Sequence, residues 1–293
     1  MASPARMGFL IFQLLAVAII CAGQEAQTSL ETVARRYGQS LNKIFEYQAK
    51  VADLHPALAS VYPVAIVENG QISVFDPDPD SQGFQPVNAF PDTMNIPVGI
   101  RAAMPLNFWN NRMACVVSGE VFDSPTGYAL ILHEYVHCYQ WETCELRLKE
   151  GMSIYQQAMK KKDYMWELQH PFPYGDSNIS GLYAEWMAAM AKNQPGAVDR
   201  TRIQLRKMLP PADWEYMTWQ EWKEGLARWL ENKIRLRLGL PENQNGCRPP
   251  FARVTFYCGG ARFIDQLERA TPGLVGNIES LYIRISRLEA GDN

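Results

Sequence analysis

Ser124-Pro125-Thr126-Gly127-Tyr128-Ala129-Leu130-Ile131-Leu132-His133-Glu134-Tyr135-Val136-His137 opens the helical half of this chain. Ser124 is a capping residue and Pro125 suits the first helical position, so a helix is predicted from here to about Tyr139. Tyr128 to Leu132, Tyr135 and Val136 make that helix apolar enough to be largely buried. His133 and His137 are four residues apart and fall on one face, one above the other. Two imidazoles so placed grip one metal ion from the same side, and Glu134 beside the first reaches a water on that ion. That is the donor set and base expected of a zinc hydrolase. The chain has four histidines, and two of them sit at this spacing. A buried helix bearing three such polar groups needs partners for them, and a metal supplies those partners.

A hydrolytic zinc keeps three protein ligands and one position for water. After His137 the chain reads Cys138-Tyr139-Gln140-Trp141-Glu142-Thr143, which lacks the third histidine of a metzincin. An acidic ligand from a later helix is therefore expected, and two glutamates compete. Glu185 lies in Leu182-Tyr183-Ala184-Glu185-Trp186 and Glu224 in Trp222-Lys223-Glu224-Gly225-Leu226-Ala227. Both sit among apolar residues, where a carboxylate is costly unless paired or coordinated. Gly225 favours Glu224, because glycine inside a helix costs about 1 kcal/mol against alanine and implies a close approach there. Glu185 has two other readings: an ion pair with Arg202 or Arg206, or an acceptor behind a ligating imidazole. His170 stands in a Pro-flanked loop as a further group that could approach the site. His55, before Pro56, reads as a surface residue. Trp219, Trp222 and Trp229 read as core aromatics.

Composition excludes some functions. A net charge of −3 and a pI near 5.9 give no electrostatic case for nucleic acid. Lys160-Lys161-Lys162 reads as a solvated helix end. Residues 1–23 look like a secretory signal: Arg6, an apolar run from Gly8 to Ile20 broken only by Gln13, then Cys21-Ala22-Gly23. The run is short of the ~20 residues a membrane span needs. Export to a periplasmic or secreted location is expected, with no stable membrane span after signal cleavage. A lipoprotein through Cys21 and an uncleaved N-terminal anchor are the rivals; Ile20 before Cys21 argues against the lipoprotein. An exported chain can form disulfides. Cys247–Cys258 is the preferred pair and Cys138–Cys144 the second, which would leave Cys115 as a thiol.

The segment 28–54 shows helical spacing. Residues 62–75 read as a hairpin about Asn69-Gly70. Residues 76–95, rich in Asp, Pro and Gly, read as a loop, with short strands near Ile96–Ile100 and Met113–Val117. Past the motif helix, further helices are expected over Glu145–Lys161, Ser180–Lys192, Ala197–Met208 and Asp213–Leu238, with two more in the tail. The class is α+β: a small N-terminal β-sheet followed by a mainly helical lobe, with the site between them.

These pieces together resemble the gluzincin group of zinc metallopeptidases, in which the H-E-x-x-H helix is followed by a helix bearing a ligand glutamate. Glu224-Gly225-Leu226-Ala227-Arg228-Trp229-Leu230-Glu231 is similar to the segment that supplies that glutamate. The segment 256–267, Phe256-Tyr257-Cys258-Gly259-Gly260 through Leu267, is similar to a tyrosine- and glycine-rich segment found in related exported bacterial proteins. The resemblance covers roughly residues 110–280. It implies one zincin-like metallohydrolase domain over 24–293, helix plus β-rich over 24–123 and helical over 124–293. It also implies Zn²⁺ held by His133, His137 and Glu224, Glu134 as catalytic base, Tyr257 as oxyanion donor, and a peptide or protein substrate; the other reading of Phe256-Tyr257 is core. The spacing from His137 to Glu224 is longer than in the aminopeptidases, and no G-x-M-E-N segment is present. Endopeptidase and other amide-hydrolase activities therefore stay open. The rival from another class is a non-catalytic exported protein that binds zinc or cell-envelope material on the same fold.

Overall fold

The computed structural model describes residues 30–287; the expected signal segment, 1–23, lies outside them. The fold is α+β, and the described residues divide into two compact units, 30–49 with 61–131 and 50–60 with 132–287.

The first unit carries helix α1 (30–49) and five strands. Strands β1 (Val64–Glu68) and β2 (Gln71–Asp78) form the expected hairpin. Asn69 and Gly70 both take positive φ, 52° and 71°, which a two-residue hairpin turn requires. Strand β3 (Gly83–Pro91) pairs antiparallel with β2 inside the segment expected to be a loop. It is the sheet's edge, where Pro86 and Pro91 are tolerated because one side of the strand needs no donors. Strand β4 (Arg101–Leu106) follows rather than coincides with the expected 96–100 strand, and it is the other edge, carrying Pro105. Strand β5 (Arg112–Val117) lies parallel to β1, and the order is β3-β2-β1-β5-β4. The central strands are buried on both faces, so they read as continuous apolar runs, Val64–Val67 and Met113–Val117. One face packs Ala65, Val67, Ile72, Val74, Ala114 and Val116.

Helix α2 (Pro125–Gln140) begins as read: Ser124 Oγ accepts from Gly127 N at 3.3 Å. Its residues from Leu132 onward belong to the second unit. There α2 runs through a π-helical turn (Trp141–Glu145) into α3 (Leu146–Glu150), with α4 (Ser153–Lys160) following. The single helix expected over 145–161 is thus broken, at Gly151-Met152. A short α5 (Trp166–Gln169) follows, then α6 (Ser177–Ala191), capped by Asp176, which accepts from Asn178 N and Ile179 N. Helices α7 (Pro195–Met208) and α8 (Pro211–Arg237) each open on a proline, the residue best suited to a first turn. Helices α9 (Arg253–Ala270) and α10 (Ile278–Ser286) complete the unit. The 27-residue α8 is its spine, packing along α9, α10 and α4. Trp219 and Trp222 are fully buried on it and Trp229 nearly so.

Gly225 explains how closely α8 and α9 cross: a Cβ there would stand 2.8 Å from the Gly260 Cα. The close approach read from this glycine is a helix–helix crossing. Cys247 and Cys258 are joined as expected, whereas Cys138 and Cys144 are buried thiols rather than a second disulfide. His55 is buried, not on the surface. Its Nε2 donates to Val275 O at 2.8 Å and its Nδ1 accepts from Ala57 N. Burial pulls its pKa down, against the pull of that carbonyl, and keeps the ring neutral. No helix among the described residues is long and apolar enough to cross a membrane.

Candidate metal centre

His133 and His137 project from one face of α2 with ring centres 5.0 Å apart. Glu224 reaches them from α8. Its Oε2 lies 3.9 Å from His133 Nε2 and 3.6 Å from His137 Nε2. One donor atom from each of the three falls within 4.8 Å of the others. Every one of these residues belongs to the second unit. Glu185, the competing carboxylate, is exposed on α6 and takes no part. The buried partner of Arg202 is Glu221, not Glu185. His170 pairs with Asp213 at 2.6 Å and supplies no fourth ligand.

Each imidazole is held from behind. His133 Nδ1 faces Glu231 Oε2 at 3.1 Å, and His137 Nδ1 faces Gln140 Oε1 at 2.8 Å. Both partners are acceptors, so both rings place an N–H on Nδ1 and turn Nε2 towards Glu224, where it carries a proton when the ring is charged and a lone pair when a cation takes that proton's place. Gln140 is oriented in turn by donating to Lys223 O at 3.1 Å. Glu231 is fully buried and receives Arg228 Nε at 3.2 Å, Arg235 Nε at 2.7 Å and Asn243 Nδ2 at 2.9 Å. Two arginines and an amide thus neutralise a carboxylate whose task is to hold an imidazole.

The donor set suits a metal. A tetrahedral ion with ligands at ~2.0–2.1 Å spaces them roughly 3.3–3.5 Å apart. The separations from Glu224 are a few tenths of an ångström wider, within reach of side-chain rotation. The charge arrangement points the same way. Burial would raise the Glu224 pKa, but the charge of His137 and the hydrogen bonds from both rings hold it well below the carboxylate range. Burial would depress His133, yet Glu224 and Glu231 raise it to about 10. Three basic groups at one point, two of them neutral rings when deprotonated, are a cation's environment.

Glu134 follows His133 on the helix and is 7 % exposed. Tyr257 stands on α9 three residues before the Gly260 crossing, and its ring lies 5.8 Å from the Arg228 guanidinium carbon. Its hydroxyl accepts from Arg253 Nη1 at 2.6 Å, which leaves its own proton free to donate. Burial, then the charges of Glu224 and Glu134, push its pKa up, so it stays protonated. The Glu224 side chain is 17 % exposed, against 9 % and 7 % for His133 and His137, so solvent meets the cluster at the carboxylate.

The sequence reading missed Glu231 and Gln140. Glu231 lies two turns after Glu224 on the same face of α8, and Gln140 one turn after His137, so spacing along each helix was the available signal. No family model matches the chain, and no curated protein or solved structure matches it.

Proposed function

We propose that this chain is a zinc-dependent hydrolase of peptide (amide) bonds, of the gluzincin type, acting on peptide or protein substrates. The observation that carries the reading is the convergence of His133, His137 and Glu224 on one point with both Nδ1 atoms held from behind. Three converging donors with solvent at the third suit a catalytic centre, since structural zinc sites close all four positions with protein groups. When bound, zinc lowers the pKa of water to about 7 and polarises a carbonyl. The chain's own residues do the rest. Glu134 takes the proton of the attacking water and returns it to the leaving amine. Tyr257 donates its hydroxyl proton to the oxygen on which charge develops. Glu231 and Gln140 keep the two rings in the tautomer and orientation the site needs. Export is part of the same reading, supported by the Cys247–Cys258 disulfide, a bond that persists in oxidising compartments.

Protein purified without a histidine tag, loaded with zinc and offered a peptide library should cleave it. Glu134→Gln should retain the metal by elemental analysis and lose about 10²–10⁴-fold in turnover. Full activity in that variant would remove Glu134 from the mechanism.

A further inference from the structure

Arg253 is a partly exposed arginine with no acid to match it. Arg202 is paired with Glu221, and both Arg228 and Arg235 with Glu231. Its side chain makes one hydrogen bond among the described residues. Its Nη1 donates to Tyr257 Oη at 2.6 Å, and its guanidinium carbon lies 5.5 Å from the same ring's centre. Among the described residues no carboxylate pairs with it. A guanidinium has five N–H donors in a fixed fork, and one of them is used here. A partly exposed guanidinium whose other N–H groups have no protein acceptor offers them to an anion that arrives with a ligand.

Its position says which ligand. The Gly225–Gly260 crossing sets α9 against the turn of α8 that bears Glu224. Tyr257 is three residues before Gly260, and Arg228, one turn beyond Glu224, lies against its ring. Arg253 is one further turn out on the same face of α9. The other hydroxyls that feel its charge, Tyr174 and Tyr216, are neutral and hydrogen-bonded to each other at 3.3 Å. From Glu224 on α8 at the crossing, α9 therefore presents first the oxyanion donor Tyr257 and then, one turn on, an unmatched fork of N–H groups.

We propose that Arg253 is a specificity residue that pairs with a carboxylate of the substrate, so that the site selects peptides presenting an acidic group beside the scissile bond. This rests on the peptide-hydrolase reading for its substrate but not for its test. The carboxylate has two sources, a peptide's own C-terminus or an Asp or Glu side chain, and both offer the two oxygens the fork takes.

The test is calorimetric binding to the zinc-loaded Glu134→Gln protein. The probes are acetyl-tetra-alanine as the free acid, its C-terminal amide, and amides carrying one Glu at each position in turn. A free acid that binds about 10–100-fold tighter than the plain amide assigns the C-terminal carboxylate; the same gain in one Glu-containing amide assigns a side chain. In either case Arg253→Gln should abolish the preference, and Arg253→Lys, which keeps the charge but not the fork, should retain part of it. Equal binding of all the probes, or a preference that survives Arg253→Gln, overturns the proposal. Wild-type cleavage is scored separately. Cleavage without carboxylate preference sinks Arg253 alone, and carboxylate preference without any cleavage sinks the hydrolase reading alone.

Discussion

The sheet unit and the helical unit bury different things. In the first, the interior is apolar, and two arginine–carboxylate pairs, Arg36–Glu68 and Arg112–Asp76, sit at the surface with half-exposed guanidinium groups. In the second, Glu145, Lys149, Arg202, Glu221, Arg228, Glu231 and Arg235 lie buried among tryptophans, together with His133, Glu134 and His137. Burying ions opposes folding unless each is matched, and a matched interior pair is seldom more stabilising than a well-packed apolar one. A unit that concentrates them does so for what they position. Here Arg228 and Arg235 hold Glu231, and Glu231 holds His133.

The contrast is broken most severely by removing one ion from the buried set. Glu221→Ala leaves the Arg202 guanidinium, 3 % exposed, without its carboxylate and the Tyr183 hydroxyl without its acceptor. A loss of about 3–5 kcal/mol is expected in denaturant unfolding. Asp76→Ala, which removes the partner of Arg112 on the sheet unit, should cost about 0–1 kcal/mol. Equal losses would mean that the interior charges are no more than decoration.

A second comparison, within the helical unit, sets Glu224 against Glu185. Glu224→Ala removes a donor and should weaken zinc affinity beyond the ~10–100-fold that loss of an outer partner costs. Glu185→Ala, on an exposed face, should leave a metal titration unchanged. The reverse ranking would dismantle the proposed centre.

What the sequence disclosed follows the same division. Local rules found α2 and its cap, the Asn69-Gly70 turn and the Cys247–Cys258 pair, because each is settled by residues near one another in the chain. Residue identities singled out His133, His137 and Glu224, and the fold brings these three to one point. Strand β3 was hidden because the Asp-, Pro- and Gly-rich segment 76–95 that contains it reads as a loop, and only pairing with β2 makes it a strand. His55 was misread because burial beside Val275, more than two hundred residues away in the chain, cannot be seen in His55-Pro56. Glu231 was missed for a like reason: nothing in Leu230-Glu231-Asn232 says which imidazole, ninety-eight residues back, it will face.

The mildest test uses two helical glycines, one in each unit. Gly225 has no room: its missing Cβ would press on the Gly260 backbone at 2.8 Å, and backbone cannot rotate aside as a side chain can. Gly225→Ala should force α8 and α9 apart, cost about 1–3 kcal/mol and, because Glu224 is the next residue, weaken zinc binding as well. Gly38 on α1 has nothing within 4 Å of the same position. Alanine there restricts the unfolded chain and fits the helix, so Gly38→Ala should stabilise by about 0.5–1 kcal/mol in thermal or denaturant unfolding. If both substitutions destabilised alike, the glycine in Glu224-Gly225 would be an ordinary helix defect. Opposite signs would mark it as the place where two backbones must meet for the third donor to reach the histidines.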